Sequence, residues 1–298
     1  MKSTPQGRAL AVGLALVVIW AAAFSIQKAA YAAMGPGAYL FLRAIVMAVC
    51  SVAMLAWYKL PLWPTLAPGE WRAFLGVTVT GSILQVALTT FGIHMSTPFS
   101  AAVITACGPV ITLVLLLILH GVRMRPPQML GVVVAMAGVL LFMADKLMQA
   151  DLRATLGDLM MLASAVTFSL YTIRVTPLAR RYGGMAMLCW STLLATPLML
   201  AGTLAPVLQS SLATITPMIW FAFFWSVLVS AFLGWVAWNW VNAVRGVART
   251  APLLYLIPPV AGVIGWVFLG EALTTAKLIG GALAMGGVAL AQWAAPRA

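Results

Sequence analysis

Ten apolar runs, each about long enough to cross a bilayer, follow one another along the 298-residue chain with only short polar separators between them. A helix rises about 1.5 Å per residue, so about 20 apolar residues span the roughly 30 Å hydrocarbon layer. The runs cover 9–30, 37–57, 72–93, 98–120, 127–144, 157–174, 184–204, 217–242, 248–269 and 275–293. No separator is long enough for an extramembrane domain. With 63% hydrophobic and 7% charged residues, the chain cannot hide its apolar surface in one soluble core. In lipid the backbone must satisfy itself, so an all-α integral membrane protein is expected, with the lipid bilayer as its surroundings. Lys2 and Arg8 ahead of an apolar run containing Ala21-Ala22-Ala23 mimic a signal peptide. The run is too long for one and has a counterpart later in the chain, so it counts as the first span.

A net charge of +12 would suggest a nucleic-acid partner in a soluble protein. Here the basic residues fall in the separators, where they set orientation instead, and no nucleic acid is expected. With the N-terminus inside, Lys2, Arg8, Lys59, Arg72, Arg123, Arg125, Arg174, Arg180, Arg181, Arg245, Arg249 and Arg297 lie on the cytoplasmic side. Lys28, Lys146, Arg153 and Lys277 fall outside with Asp145, Asp151, Asp158 and Glu271, and Arg43 sits within a span. Both termini are therefore expected in the cytoplasm.

The stretch Val247 to Val288 carries Pro258-Pro259, then Gly270-Glu271, then Gly280, Gly281, Gly286 and Gly287. The proline pair is expected to free carbonyls within a helix that lines something, and the glycines to bring a helix close to its neighbour. A weaker copy lies earlier. Pro109-Val110 aligns with Pro259-Val260, and MLGVVVAMAGVLL from Met129 aligns with LIGGALAMGGVAL from Leu278. The chain thus reads as a duplication, residues 1–145 and 146–298. Five spans per copy is an odd number, so the second copy must enter the membrane upside down. Such inverted five-plus-five repeats recur in secondary transporters, with substrate near the midplane between the copies.

The paired pattern of a helix-borne proline, a Gly-Glu end and a Gly-rich helix resembles the drug/metabolite transporter superfamily, in particular its EamA-type members, over nearly the whole chain. The resemblance implies an inner-membrane exporter of small organic metabolites working by alternating access. Members export amino acids, aromatic ones in the YddG-type branch, while relatives carry nucleotide sugars, sugar phosphates or cationic drugs. Its Gly-Glu end also implies a cap or gate role for Glu271. One departure is that Gly121 stands where Glu271 stands in the second copy.

Trp20, Phe24 and Gln27 share a face of the first span, matched on the sixth by Ser164, Phe168 and Tyr171. Gln85, Leu88, Thr89 and Gly92 on the third span match Trp235, Trp238, Asn239 and Asn242 on the eighth. These faces, with Tyr255 on the ninth, either line a central site or pack helices together. Amides and indoles would suit a small polar ligand with an apolar or aromatic part, such as an amino acid. Arg43 either attracts a carboxylate or snorkels, and His94 lies near the outer surface. With Pro109, Pro258, Pro259 and Glu271 they form the set of gating or coupling positions.

No span carries an acid near its middle, so a buried carboxylate relay is not expected. There is no GxxxxGK[ST] phosphate loop, no HExxH or GxSxG site and no Cys/His cluster. The expectation is a transporter, with no cofactor, no metal and no enzyme activity. A non-transporting membrane scaffold and a membrane-embedded enzyme are the other classes. Gly131, Gly138, Gly280 and Gly287 serve internal packing or a dimer contact, leaving monomer and homodimer both open.

Overall fold

The computed structural model describes residues 5–121, 124–148, 151–245 and 250–294, without the side chains at 142–148, 239, 243, 251 and 252. Of the positions discussed above, Lys2, Arg123, Arg249 and Arg297, and the side chains of Asp145, Lys146 and Asn239, lie outside the described residues.

Among the described residues every regular element is helical. The helices are α1 (Pro5–Met34), α2 (Pro36–Trp57), and α3, built from Trp71–Val77, a π-helical stretch Thr78–Leu84, and Gln85–Met95. Then come α4 (Pro98–Ala106), α5 (Gly108–His120), α6 (Pro126–Met148), α7 (Leu152–Tyr182) and α8 (Gly184–Leu208). The π-helical stretch recurs in α9, made of Pro217–Phe224, Trp225–Leu233 and Gly234–Arg245. A 3₁₀ segment Ala251–Leu256 leads into α10 (Ile257–Leu269), and α11 (Thr275–Trp293) closes the fold. Six of these are long and apolar enough to cross a membrane, seven when the bent pair α4 and α5 counts as one span. The other three expected spans are helical as well, over α6, α10 and α11.

The fourth span is not straight, because α4 and α5 meet at 41° across Cys107. Pro109 lies in the first turn of α5, and Pro258 and Pro259 in the first turn of α10. The first amides of a helix have no intrahelical partner, so proline at these positions costs no hydrogen bond. This corrects the expectation of carbonyls freed in mid-helix: the prolines start new helices after a break. A second correction concerns Gly121, which ends α5 in the left-handed region at φ 63° as Gly270 ends α10 at φ 65°. Any other residue there would be strained. The counterpart of Gly121 is therefore Gly270, not Glu271. A third is Asp158, expected in an outer separator, which sits fully buried in the second turn of α7.

The pairs α3 with α7, α2 with α8 and α6 with α11 pack antiparallel across the two halves. Along α3 and α7, Gly81 meets Tyr171, Gly92 meets Met161, and Ser96 meets Gly157 and Asp158. At one end of α2 and α8, Gly37 approaches Pro206, while Leu55 shares a buried cluster with Met187 and Trp190 at the other. The tightest pair is α6 with α11. A Cβ on Gly131 would lie 2.5 Å from the Ala291 nitrogen, and one on Gly138 2.3 Å from that of Ala284. Val49, Ile118 and Phe268 instead point outward, where lipid replaces water as their surroundings.

Gly287 faces α6 with no room for a side chain, since its Cβ would lie 2.3 Å from the Ala135 nitrogen, whereas nothing lies within 4 Å of a Cβ on Gly286. Gly287→Val should therefore cost about 2 kcal/mol or more, and Gly286→Val about 0.5 kcal/mol or less. Thermal unfolding of the detergent-purified variants, followed by tryptophan fluorescence, measures the difference.

Candidate functional site

The expected site residues gather in two clusters. In the first, α1 meets α9: Trp20 packs edge-on against Trp238 with ring centroids 5.4 Å apart and lies 5.9 Å from Trp235. The Trp20 indole N–H donates to the Ser230 carbonyl at 3.0 Å, inside the π-helical stretch of α9. Gly234 leaves the space, because a Cβ there would meet Trp20 Nε1 at 2.8 Å. Trp238 is buried, and Trp235 is exposed.

In the second cluster α3 meets α7. Gln85 Nε2 donates to Thr89 Oγ1 at 3.2 Å, Thr89 and Ser164 share a hydrogen bond of 2.6 Å, and Ser164 Oγ donates to the Gln85 carbonyl at 3.2 Å. One turn further, Phe168 and Tyr171 stack at 5.9 Å, and Tyr171 covers Gly81 in the π-helical stretch of α3. Thus Trp20 and Ser164, matched in sequence, both donate to a backbone carbonyl of the helix they face. π-Helical turns inside α-helices concentrate at functional sites, because they widen the backbone and redirect its polar groups.

The remaining positions separate. Gln27 accepts a hydrogen bond from the Tyr31 hydroxyl at 3.1 Å. Asn242 accepts one from Thr250, so this amide ties down the chain after α9. Phe24 packs between Ala21, Ala102 and Ala261. Arg43 lies close enough to Tyr31 and Tyr39 for its charge to act on both phenols. Among the described residues, the buried hydroxyls of Ser25 on α1 and Tyr255 beside α10 have no partner. A buried polar group without a protein partner is where water or a ligand bonds. Ser25 is not among the expected site residues, although its Phe24-Ser25 pair recurs as Phe168-Ser169.

A separate group gathers at the end of the molecule away from Pro5. Lys28 Nζ donates to the Ser96 carbonyl and lies 3.5 Å from that of His94, Ser96 Oγ donates to Asp158, and Arg153 Nη2 touches His94 Nε2 at 3.2 Å. A cleft of about 290 Å³ opens there between Lys28, Ala32, His94, Met95, Asp151 and Arg153. Glu271 folds back over Gly265 towards the first turn of α4, within reach of the Phe99 N–H and the Thr97 side chain. Its Oε1 is buried without a partner. Burial raises the Glu271 carboxyl above the ordinary glutamate range, against the pull of the Phe99 N–H, Lys277, Lys28 and Thr97.

Comparison with known proteins gives a consistent answer. The model of a family described as the EamA-like transporter family matches residues 7–144 and again 155–293. A probable terminal-alkyne amino-acid exporter of Streptantibioticus cattleyicolor is 31% identical over 209 residues, which is 70% of this chain and 68% of that protein. A probable amino-acid metabolite efflux pump of Escherichia coli is 25% identical over 285 residues, covering 93% of this chain and 92% of its own. One solved crystal structure superposes with a TM-score of 0.60 over 98% of this chain and 100% of that one, and at 19% identity it speaks for the fold alone.

The folded protein keeps the Glu271 proton to higher pH than the unfolded chain does. Its contribution to stability is therefore complete below the unfolded value and is lost as pH rises through the raised folded one. The melting temperature in detergent should fall across that window in the native protein, and Glu271→Gln, neutral throughout, should remove this part of the fall. Equal slopes for the two proteins would contradict the assignment.

Proposed function

This chain belongs to the EamA-like transporter family, as a multi-pass protein of the bacterial inner membrane, and on that premise we propose that it exports small amino-acid-like metabolites, aromatic ones included, by alternating access. In this reading residues 1–145 and 146–298 are two five-span repeats of opposite orientation, ten spans in all, with both termini in the cytoplasm. The observation that carries it is the antiparallel packing of matched helices, α2 on α8 and α6 on α11, with the same π-helical widening in α3 and α9. Two units of this kind leave between them a cavity that rocking opens to one side at a time.

The aromatic clusters around Trp20 and Tyr171 form the walls, and the side chains of Gln85, Thr89 and Ser164 the polar contacts. The unpartnered hydroxyls of Ser25 and Tyr255 offer further bonds to the ammonium or carboxylate of an amino acid. Relatives named for amino-acid export support this substrate class. Sugar phosphates fit less well, because a phosphate calls for several converging cations.

The test is flux. Protein purified into liposomes should exchange radiolabelled phenylalanine, and Tyr255→Phe, which removes one oxygen and no packing, should raise KM about tenfold with little change in melting temperature. Unaltered KM would remove Tyr255 from the site. No exchange of any amino acid by the native protein would remove the substrate class.

A further inference from the structure

The two-residue turn Ser96-Thr97 between α3 and α4 is gripped from both halves of the chain. From α1, the Lys28 ammonium donates to the Ser96 carbonyl, beside the last carbonyls of α3, where the helix dipole favours a cation. From α7, Asp158 accepts the Ser96 hydroxyl hydrogen, and both residues are buried, at 0% and 1% exposure. The backbones also touch, because a Cβ on Gly157 would lie 2.6 Å from the Ser96 nitrogen. From the turn between α10 and α11, Glu271 reaches the first turn of α4 beside Thr97. The opposite end also carries ties across the halves, since Glu70 accepts from the Tyr182 hydroxyl as well as from the nearby Ala67 N–H, and Trp190 donates to the Pro61 carbonyl, but its charged contacts lie more open. Gln6 bonds the Val244 carbonyl at an exposed site, and the Arg181–Glu70 ion pair has its arginine side chain 61% exposed. Exposed pairs of this sort hold little energy, whereas hydrogen bonds to buried charged groups hold more.

We propose that Ser96-Thr97 is the latch of the outer gate, with Lys28 and Asp158 as the positioning residues that hold it shut. The inference rests on the transport reading above and adds the step that releases substrate to the outside. Opening that side requires α1 and α7 to part from the turn, so the Lys28 and Asp158 ties break together. The 290 Å³ cleft bordered by Lys28, His94 and Arg153 is then the outer vestibule of the path.

External thiol accessibility tests the latch without relying on transport. Thr89→Cys, in a background with Cys50→Ser, Cys107→Ala and Cys189→Ser, places one thiol inside α3, deeper than the turn. With an impermeant maleimide added outside intact cells, Ser96→Ala and Lys28→Met should each speed labelling about tenfold, and Lys28→Arg should restore the slow rate. Unchanged external labelling in both variants, each monodisperse after purification, would overturn the proposal. Should either variant fail to fold, the pair Lys28→Cys and Ser96→Cys bridged by a short cleavable cross-linker decides the matter. Exchange in liposomes should stop when bridged and return on reduction, and exchange continuing at full rate while bridged overturns the latch. Faster labelling without exchange of any amino acid upholds the latch while removing the assigned substrate.

Discussion

Within the bilayer no water bonds to an exposed backbone N–H or C=O, so every break in a helix must be covered by another part of the chain. Among the described residues, the two π-helical stretches and the bend after Cys107 are each met by a residue of the other half. The π-helical stretch of α3 lies under Tyr171 of α7, and that of α9 gives the Ser230 carbonyl to Trp20 of α1. At the bend after Cys107, the Gly108 carbonyl accepts from Ser169 of α7 at 3.2 Å. Neither half therefore completes its own backbone, and the irregular backbone collects where the halves face each other.

That dependence explains why the chemistry of the interface is mostly hydroxyl and indole rather than charge. A hydroxyl or an indole N–H satisfies one carbonyl at little desolvation cost, whereas a charge within the spans is expensive. Arg43 within α2 aside, most charged side chains lie towards the ends of the helices, where Lys28, Asp158, Arg153 and Glu271 collect on one side and Glu70, Arg181 and Arg245 on the other. Both groups engage backbone turns, Lys28 at the Ser96 carbonyl and Glu70 at the Ala67 N–H, but Asp158 is fully buried while Arg181 is exposed, so the two ends of a nearly symmetric body differ in how deeply their charged contacts lie. A carrier needs such a difference if one side is to rest closed.

Much of this was legible in the sequence. The apolar runs located most helices closely, because length and hydropathy decide what can cross a membrane, but Leu152–Tyr182 runs well past the expected 157–174 at both ends and the α-helix Ile257–Leu269 starts later than the expected 248. Gly131, Gly138, Gly280 and Gly287 announced a close contact, and all four lie in the α6 and α11 interface. What escaped has physical reasons. Asp158 begins an apolar run and so looks like a loop residue, yet α7 starts earlier and its partner Ser96 lies far away in sequence. The π-helical stretches escaped because no composition separates them from α-helix. Pro258 and Pro259 suggested a kink, but the 3₁₀ segment before them makes them the start of a helix. Periodicity placed the polar residues on shared helix faces, while their pairing, such as Thr89 with Ser164 or Asn242 with Thr250, depends on contacts that periodicity does not contain.

The opposed orientation of the two halves is the claim from which the cavity, the gate and the transport cycle all follow, and its direct measurement is the sidedness of two equivalent turns. Gly35 after α1 and Gly183 after α7 both adopt positive φ, at 78° and 90°. In a cysteine-free background, Ala33→Cys and Arg180→Cys place single thiols beside them at exposed positions. The account predicts that an impermeant maleimide added to intact cells labels the first and reaches the second only after the membrane is opened. Labelling of both from the same side would contradict it.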